Sequence, residues 1–148
     1  IKSVPELDTL VVAVGGGGLI AGVAAAAKCI KPDIQVIGVE PVGAPTHFKS
    51  RIAGKIIKLD NIDTEAGTLA PKKTETLNFE LIQQHVDDLI LVDDISMQKA
   101  AEWLWFEFGV AAELSGAASI AALSDKVFDT RAGNVCSIIC GSGTDGIT

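Results

Sequence analysis

Cysteine is scarce in this chain and does not come in pairs. Among 148 residues only Cys29, Cys136 and Cys140 are cysteine, and no two form a CxxC pair. Disulfide scaffolds and zinc ribbons need even, regularly spaced cysteines, so a reduced, cytoplasmic setting is expected. Basic charge is short as well: 12 Lys and Arg stand against 19 Asp and Glu, a formal net charge of −7. Nucleic-acid binders neutralise phosphates with a basic face, so nucleic acid is not an expected partner. No basic, then apolar, leader opens the chain. The uncharged stretch over residues 9–27 imitates a membrane span, yet it contains four consecutive glycines and otherwise mostly small residues. It reads as a buried strand followed by a buried helix, and no membrane association is expected. Also missing are HExxH, a Ser–His–Asp arrangement and paired-carboxylate spacing.

What remains is a globular composition, 48% apolar and 21% charged, over 15.3 kDa. That is enough chain for one α/β domain, residues 1–148, with a sizeable core. Apolar, β-branched runs predict strands over 9–14, 34–39, 88–92 and 135–139. Helical patterns predict helices over 19–30, 45–53 and 77–86, with a short extended piece over 54–58 and a Thr-rich loop over 59–75. A further helix runs from a Ser96 cap to about Phe108 and another from a Ser115 cap to about Val127. This alternation is that of βαβ units: a mainly parallel open sheet with helices on both faces. Ala101, Leu104, Trp105 and Phe108 are read as one packing face, with Trp103 and Phe106 also economical as helix packing. His47 and His85 are read as surface or boundary residues, and Lys72-Lys73 as a solvated basic spot.

Three places carry potential chemistry. The first is the strand–Gly15-Gly16-Gly17-Gly18–helix junction. Glycines let successive N–H groups point at one spot, and the positive end of the helix adds to that field. A phosphate cradle is the sharp reading and a tight turn the plain one. A dinucleotide would also suit it, because Gly16-x-Gly18-x-x-Ala21 fits GxGxxG/A and Glu40 ends the next strand where a ribose carboxylate belongs. The second place is Cys140, at the carboxyl end of the last strand, beside Gly141, Ser142 and Gly143; Cys29 and Cys136 read as inert buried thiols. The third is Glu113, flanked by small and apolar residues ahead of a helix. It either solvates a loop or faces a ligand.

Taken together, Val12-Ala13-Val14-Gly15-Gly16-Gly17-Gly18-Leu19-Ile20-Ala21-Gly22, Ile37-Gly38-Val39-Glu40-Pro41, Val86-Asp87-Asp88, Glu113-Leu114-Ser115-Gly116-Ala117 and Ile138-Ile139-Cys140-Gly141-Ser142-Gly143 resemble the serine/threonine dehydratase and serine racemase family. Those are pyridoxal-phosphate enzymes of the tryptophan synthase β-like fold, and the likeness runs in register over nearly the whole chain. The resemblance implies pyridoxal 5'-phosphate as cofactor, with Gly15, Gly16, Gly17, Gly18 and Leu19 at its phosphate. It implies Cys140 at the pyridine nitrogen, Gly141 among the cofactor-binding residues and Glu113 near the ring, although Leu114 stands where the family has Pro. It also implies α,β-elimination of a small hydroxy amino acid such as threonine or serine to a 2-oxo acid and ammonia, or racemisation. A homo-oligomer is expected.

Two departures from the family pattern qualify this. The family's divalent-cation positions fall on Glu40, Ala44 and Thr46, and Thr46 is not the expected carboxylate, so that metal site is not expected. The family's cofactor-carrying lysine, substrate-carboxylate loop and small domain lie upstream of the glycine loop, and the chain opens at Ile1 without methionine. The expected partner is therefore the N-terminal half of the same enzyme, with no catalytic base in this chain.

Overall fold

The structure, a computed structural model, describes residues 1–125 and 133–145. The continuous apolar runs form strands: β1 (Leu7–Ala13), β2 (Gln35–Pro41), β3 (Asp88–Val92) and β4 (Asn134–Ile138). They make one four-stranded, all-parallel sheet of order β3-β2-β1-β4. In register, Val11 lies beside Ile37, Val39 beside Ile90 and Val12 beside Ile138. The chain steps outward from β1 through β2 to β3, then returns to lay β4 on the other side of β1. In an open parallel sheet that reversal leaves a crevice at the carboxyl ends of the two strands, here between β1 and β4.

Helices α1 (Gly18–Ile30), α2 (Thr46–Ala53), α3 (Thr76–His85), α4 (Asp94–Phe108) and α5 (Leu114–Ser124) connect or flank the strands, with a 3-10 turn at Gly67–Leu69. Alternate strand residues feed two cores, as the period of a strand requires. Val11, Ala13, Ile37 and Val39 meet Met97, Ala101, Leu104, Ala117 and Ala121 of α4 and α5. Leu10, Val12 and Val36 meet Ile20 and Ala24 of α1 and Ile82 of α3. The expected sheet with helices on both faces is what the chain forms. Among the described residues no helix is long and apolar enough to cross a membrane.

Several local expectations are corrected. Asp93, not Ser96, caps α4: its carboxylate accepts the Ser96 N–H at 2.7 Å. Ser115 is buried inside α5, because a bridge between Ala112 and Ser142 keeps the chain extended as far as Glu113. The predicted end of that helix at Val127 lies outside the described residues. The α4 core seam is Met97, Ala100, Ala101 and Leu104, whose small side chains let α4 lie close to the core. Trp103, Trp105, Phe106 and Phe108 are all exposed, with Trp103 and Phe108 edge to face at 4.9 Å. Cys29 and Cys136 are exposed rather than buried. Residues 54–58 form no strand; Lys55 and Ile57 instead donate N–H groups to the Ser50 carbonyl and hydroxyl.

Candidate functional site

The glycine loop sits at the mouth of the crevice. Val14 still belongs to the sheet, donating its N–H to the Val39 carbonyl at 2.8 Å, and the chain then turns through Gly15–Gly18 into α1. Gly17 has φ +92°, a left-handed conformation that penalises any residue with a Cβ. A Cβ there would also fall 2.6 and 2.7 Å from the His47 ring and 2.9 Å from Ile82. A Cβ on Gly15 would run into the Thr68 carbonyl, whereas Gly16 and Gly18 face open space. The first bond of α1 runs from the Ala21 N–H to the Gly17 carbonyl at 2.9 Å. The N–H groups of Gly18, Leu19 and Ile20 therefore have no partner within the helix and point out of its positive end.

The opposite wall comes from the far end of the sequence. Residues 111–113 lie antiparallel to 141–143: Glu113 donates its N–H to the Gly141 carbonyl at 3.3 Å, and Gly143 donates to Ala111 at 3.2 Å. Glycine is required at this crossing, since a Cβ on Gly141 would strike the Glu113 carboxylate and one on Gly116 the Gly141 carbonyl. The arrangement brings Glu113 beside Cys140, and the Thr68 hydroxyl donates to Glu113 Oε1 at 3.2 Å. Burial pushes the Cys140 thiol above the usual range, and the Glu113 charge pushes the same way, so the sulfur is a neutral thiol at pH 7. Together these segments enclose an open cleft of about 310 Å³, lined by Ala13, Gly15 to Ile20, Thr68, Leu69, Glu113 and Cys140. The sequence-predicted Gly15, Gly16, Gly17, Gly18, Leu19, Glu113 and Cys140 are thus brought to one place, with Gly141 supporting them from behind.

Glu40 is not among them. It is fully buried, and its two oxygens accept the backbone N–H groups of His47 and Phe48, each at 2.7 Å, at the start of α2. Burial pushes its carboxyl up to about 7 against those bonds. A carboxylate spent on its own backbone and shut away from the cleft cannot bind a ribose, which overturns the dinucleotide reading. The other two positions weighed for a cation are likewise engaged: the Thr46 hydroxyl donates to the Pro71 carbonyl at 2.6 Å, and the Ala44 carbonyl accepts the Thr46 N–H at 2.9 Å.

His47, read as a surface or boundary residue, is instead 1% exposed and packed beneath Gly17. Neither ring nitrogen meets strict hydrogen-bond geometry, but the Gly16 and Gly15 backbone interacts with the ring. Burial pushes its pKa below the usual histidine range, so the ring is neutral at pH 7, although the Gly16 and Gly15 backbone pulls the other way. Sequence reasoning also passed over Thr68, Thr74 and Asn78. Thr74 Oγ1 and Asn78 Nδ2 donate to the Gly16 carbonyl at 3.1 and 2.9 Å, although neither lines the cleft. Thr68 and Thr74 sit in the polar, Thr-rich stretch and Asn78 in a helix, and neither setting carried a local sign of these contacts.

The cleft suits a phosphorylated ring. Outward-facing N–H groups and two open glycine positions accommodate a phosphate at one end, and an uncharged thiol stands across the cleft beside a carboxylate. Comparison with known proteins agrees. Residues 1–141 match the family described as pyridoxal-phosphate dependent enzyme. The chain is 42% identical to a rice (Oryza sativa subsp. indica) serine racemase over 127 residues, covering 85% of this chain and 37% of that protein. It is 34% identical to an L-threonine ammonia-lyase of Thermotoga maritima, covering 98% of this chain and 36% of that one. The solved structure of maize serine racemase superposes with a TM-score of 0.87 at 39% identity, over 95% of this chain and 46% of that chain. The chain thus spans between about a third and a half of the length of these relatives. With a tryptophan synthase β-like sheet, a glycine cradle and an opposing thiol in one cleft, this chain belongs to the pyridoxal-phosphate dependent enzymes.

Proposed function

We propose that this chain forms the phosphate-binding and ring-binding side of an enzyme that eliminates the β-hydroxyl of threonine or serine, giving a 2-oxo acid and ammonia. In this reading Gly15, Gly16, Gly17, Gly18 and Leu19 hold the cofactor phosphate through backbone N–H groups. Cys140, with Gly141 behind it, faces the ring nitrogen, and Glu113 stands at the ring's edge. Bound there, pyridoxal phosphate supplies an electron sink for bond breaking at the α-carbon of an amino acid.

The carrying observation is that Cys140 lines the same cleft as the glycine loop, with burial pushing its thiol toward the uncharged form. An uncharged partner leaves the ring nitrogen largely unprotonated and the sink weak. A weak sink favours prompt loss of a β-hydroxyl over slower side reactions. Thr68 restrains the Glu113 carboxylate by a hydrogen bond. The base and the cofactor-carrying lysine belong to the remainder of the enzyme, whose substrate is a small hydroxy amino acid and which works as a homo-oligomer; this chain alone is inactive.

A second reading, racemisation of an amino acid at the same site, is supported by the 42% identity to rice serine racemase. One assay separates the two. The complete enzyme is given L-threonine and L-serine, 2-oxo acid is followed through a coupled dehydrogenase, and D-amino acid through chiral chromatography. Elimination predicts cofactor-dependent 2-oxo acid as the main product. D-serine formed faster than pyruvate would replace that reading with racemisation, and neither product would sink both.

A further inference from the structure

A phosphate cradle made of backbone works only if its N–H groups face the ligand, and glycine leaves that orientation free. The four glycines here have no side chains to hold them, and Gly16 and Gly18 face open space. The Gly16–Gly17 peptide can therefore turn over unless something grips it.

Something does. The Gly16 carbonyl accepts two side-chain hydrogen bonds, from Asn78 Nδ2 at 2.9 Å and Thr74 Oγ1 at 3.1 Å. Two donors match the two lone pairs of that oxygen, and the buried His47 ring also interacts with the Gly16 backbone. The Thr74 hydroxyl also lies 3.5 Å from the Glu75 carbonyl, but its single proton has the shorter contact at Gly16. Thr74 is 1% exposed, so its geometry is held by packing. Asn78 lies in the first turn of α3 and Thr74 just ahead of it, and neither lines the cleft.

The peptide linking Gly16 to Gly17 is trans, as are all the described peptides. In a planar trans peptide the C=O and the N–H point in opposite directions. Pinning the Gly16 carbonyl toward α3 therefore turns the Gly17 N–H the other way, toward the cleft. His47 closes the space under Gly17, which removes the room for the loop to sag. We propose that Thr74 and Asn78 are positioning residues that aim the Gly17 N–H at the cofactor phosphate by gripping the Gly16 carbonyl from behind. The inference rests on reading the cleft as the pyridoxal-phosphate site.

The test uses the complete enzyme stripped of cofactor, titrated with pyridoxal phosphate and separately with pyridoxal, which lacks the phosphate. The ratio of the two dissociation constants is the readout, with the melting temperature recorded for every variant. Thr74→Val keeps the shape and loses the donor, Thr74→Ser keeps the donor, and Asn78→Asp keeps the shape and replaces the donor with an acceptor. Thr74→Val and Asn78→Asp should each cut the preference for pyridoxal phosphate by about fivefold or more, the scale of one lost hydrogen bond, while Thr74→Ser retains it. A wild-type preference retained by Thr74→Val overturns the inference, whatever happens to its melting temperature. So does a parallel loss of affinity for both ligands. If Asn78→Asp does not fold, the Thr74→Val and Thr74→Ser pair decides alone. A wild-type enzyme that binds neither ligand would instead sink the reading of the cleft.

Discussion

The Glu40 carboxylate takes the His47 backbone N–H at 2.7 Å with one oxygen and that of Phe48 with the other, so a strand-end glutamate seals the first turn of the next helix. The same contact sets the His47 ring beneath Gly17 of the glycine loop.

That buried carboxyl makes folding depend on pH. Its pKa rises from 4.5 to about 7 in the folded protein, chiefly through burial. The folded state therefore holds the proton more tightly than the unfolded chain, and stability is lost as pH rises through that window and is level above it. The loss amounts to about 3 kcal/mol, at ~1.4 kcal/mol per unit. His47 acts with the opposite sign, since its lowered pKa costs stability as pH falls below the usual histidine range. The Glu40 effect is thus the difference between wild type and Glu40→Gln, measured by denaturant unfolding at about pH 5 and about pH 8. The variant should lack the alkaline loss; an identical slope in both proteins would refute this assignment.

His47 itself is a stability cost. The buried ring forfeits its hydration and gains only weak interactions with the Gly16 and Gly15 backbone, so His47→Met, of similar bulk, should stabilise the protein by about 1 kcal/mol. Thermal melts of the two proteins decide it, and a lower melting temperature for the variant would mean that those interactions outweigh the lost hydration.

Adjacent glycines should respond differently to a methyl group. Gly17→Ala meets the His47 ring and a positive φ, and should lose about 2–4 kcal/mol. Gly18→Ala opens the first turn of α1 with no atom within 4 Å of the new carbon, and should be neutral or stabilising by up to about 1 kcal/mol. Equal losses in an unfolding titration would contradict the described geometry.

Cys140 should alkylate with a pH midpoint above that of an ordinary thiol, because burial and the Glu113 charge both disfavour the thiolate. Removing the charge with Glu113→Gln should move the midpoint downward without abolishing the shift, burial being the larger cause. Iodoacetamide labelling of Cys140, followed by peptide mass spectrometry across a pH series, reads this directly. No movement on substitution would place Glu113 too far away to matter.

The strands and the glycine loop were legible because their signals are local. The run from Thr9 to Val14 can only be a strand buried on both faces, and Gly15–Gly18 breaks it within four residues. Glu40 was misread because a glutamate at a strand end looks the same whether it meets a ligand or caps a helix that begins six residues later. On α4 the aromatics were credited with the packing, but alanines at 100 and 101 form the close seam and leave Trp105 and Phe108 outside. Thr74 and Asn78 touch Gly16 from 58 and 62 positions away. Contacts of that span leave no periodic trace, so only the folded chain reveals them.

The placement of β4 beside β1 has a consequence for how the site comes into being. The β1–α1–β2 unit closes over a short span, so the glycine cradle takes shape from neighbouring segments. Cys140 reaches that cradle only when the last strand pairs with the first, the longest loop closure in the sheet. Such closures are entropically costly and slow. The glycine-loop side of the cleft thus depends on short closures and the Cys140 side on the longest one, and a ligand touching both sides would clasp β1 and β4 together.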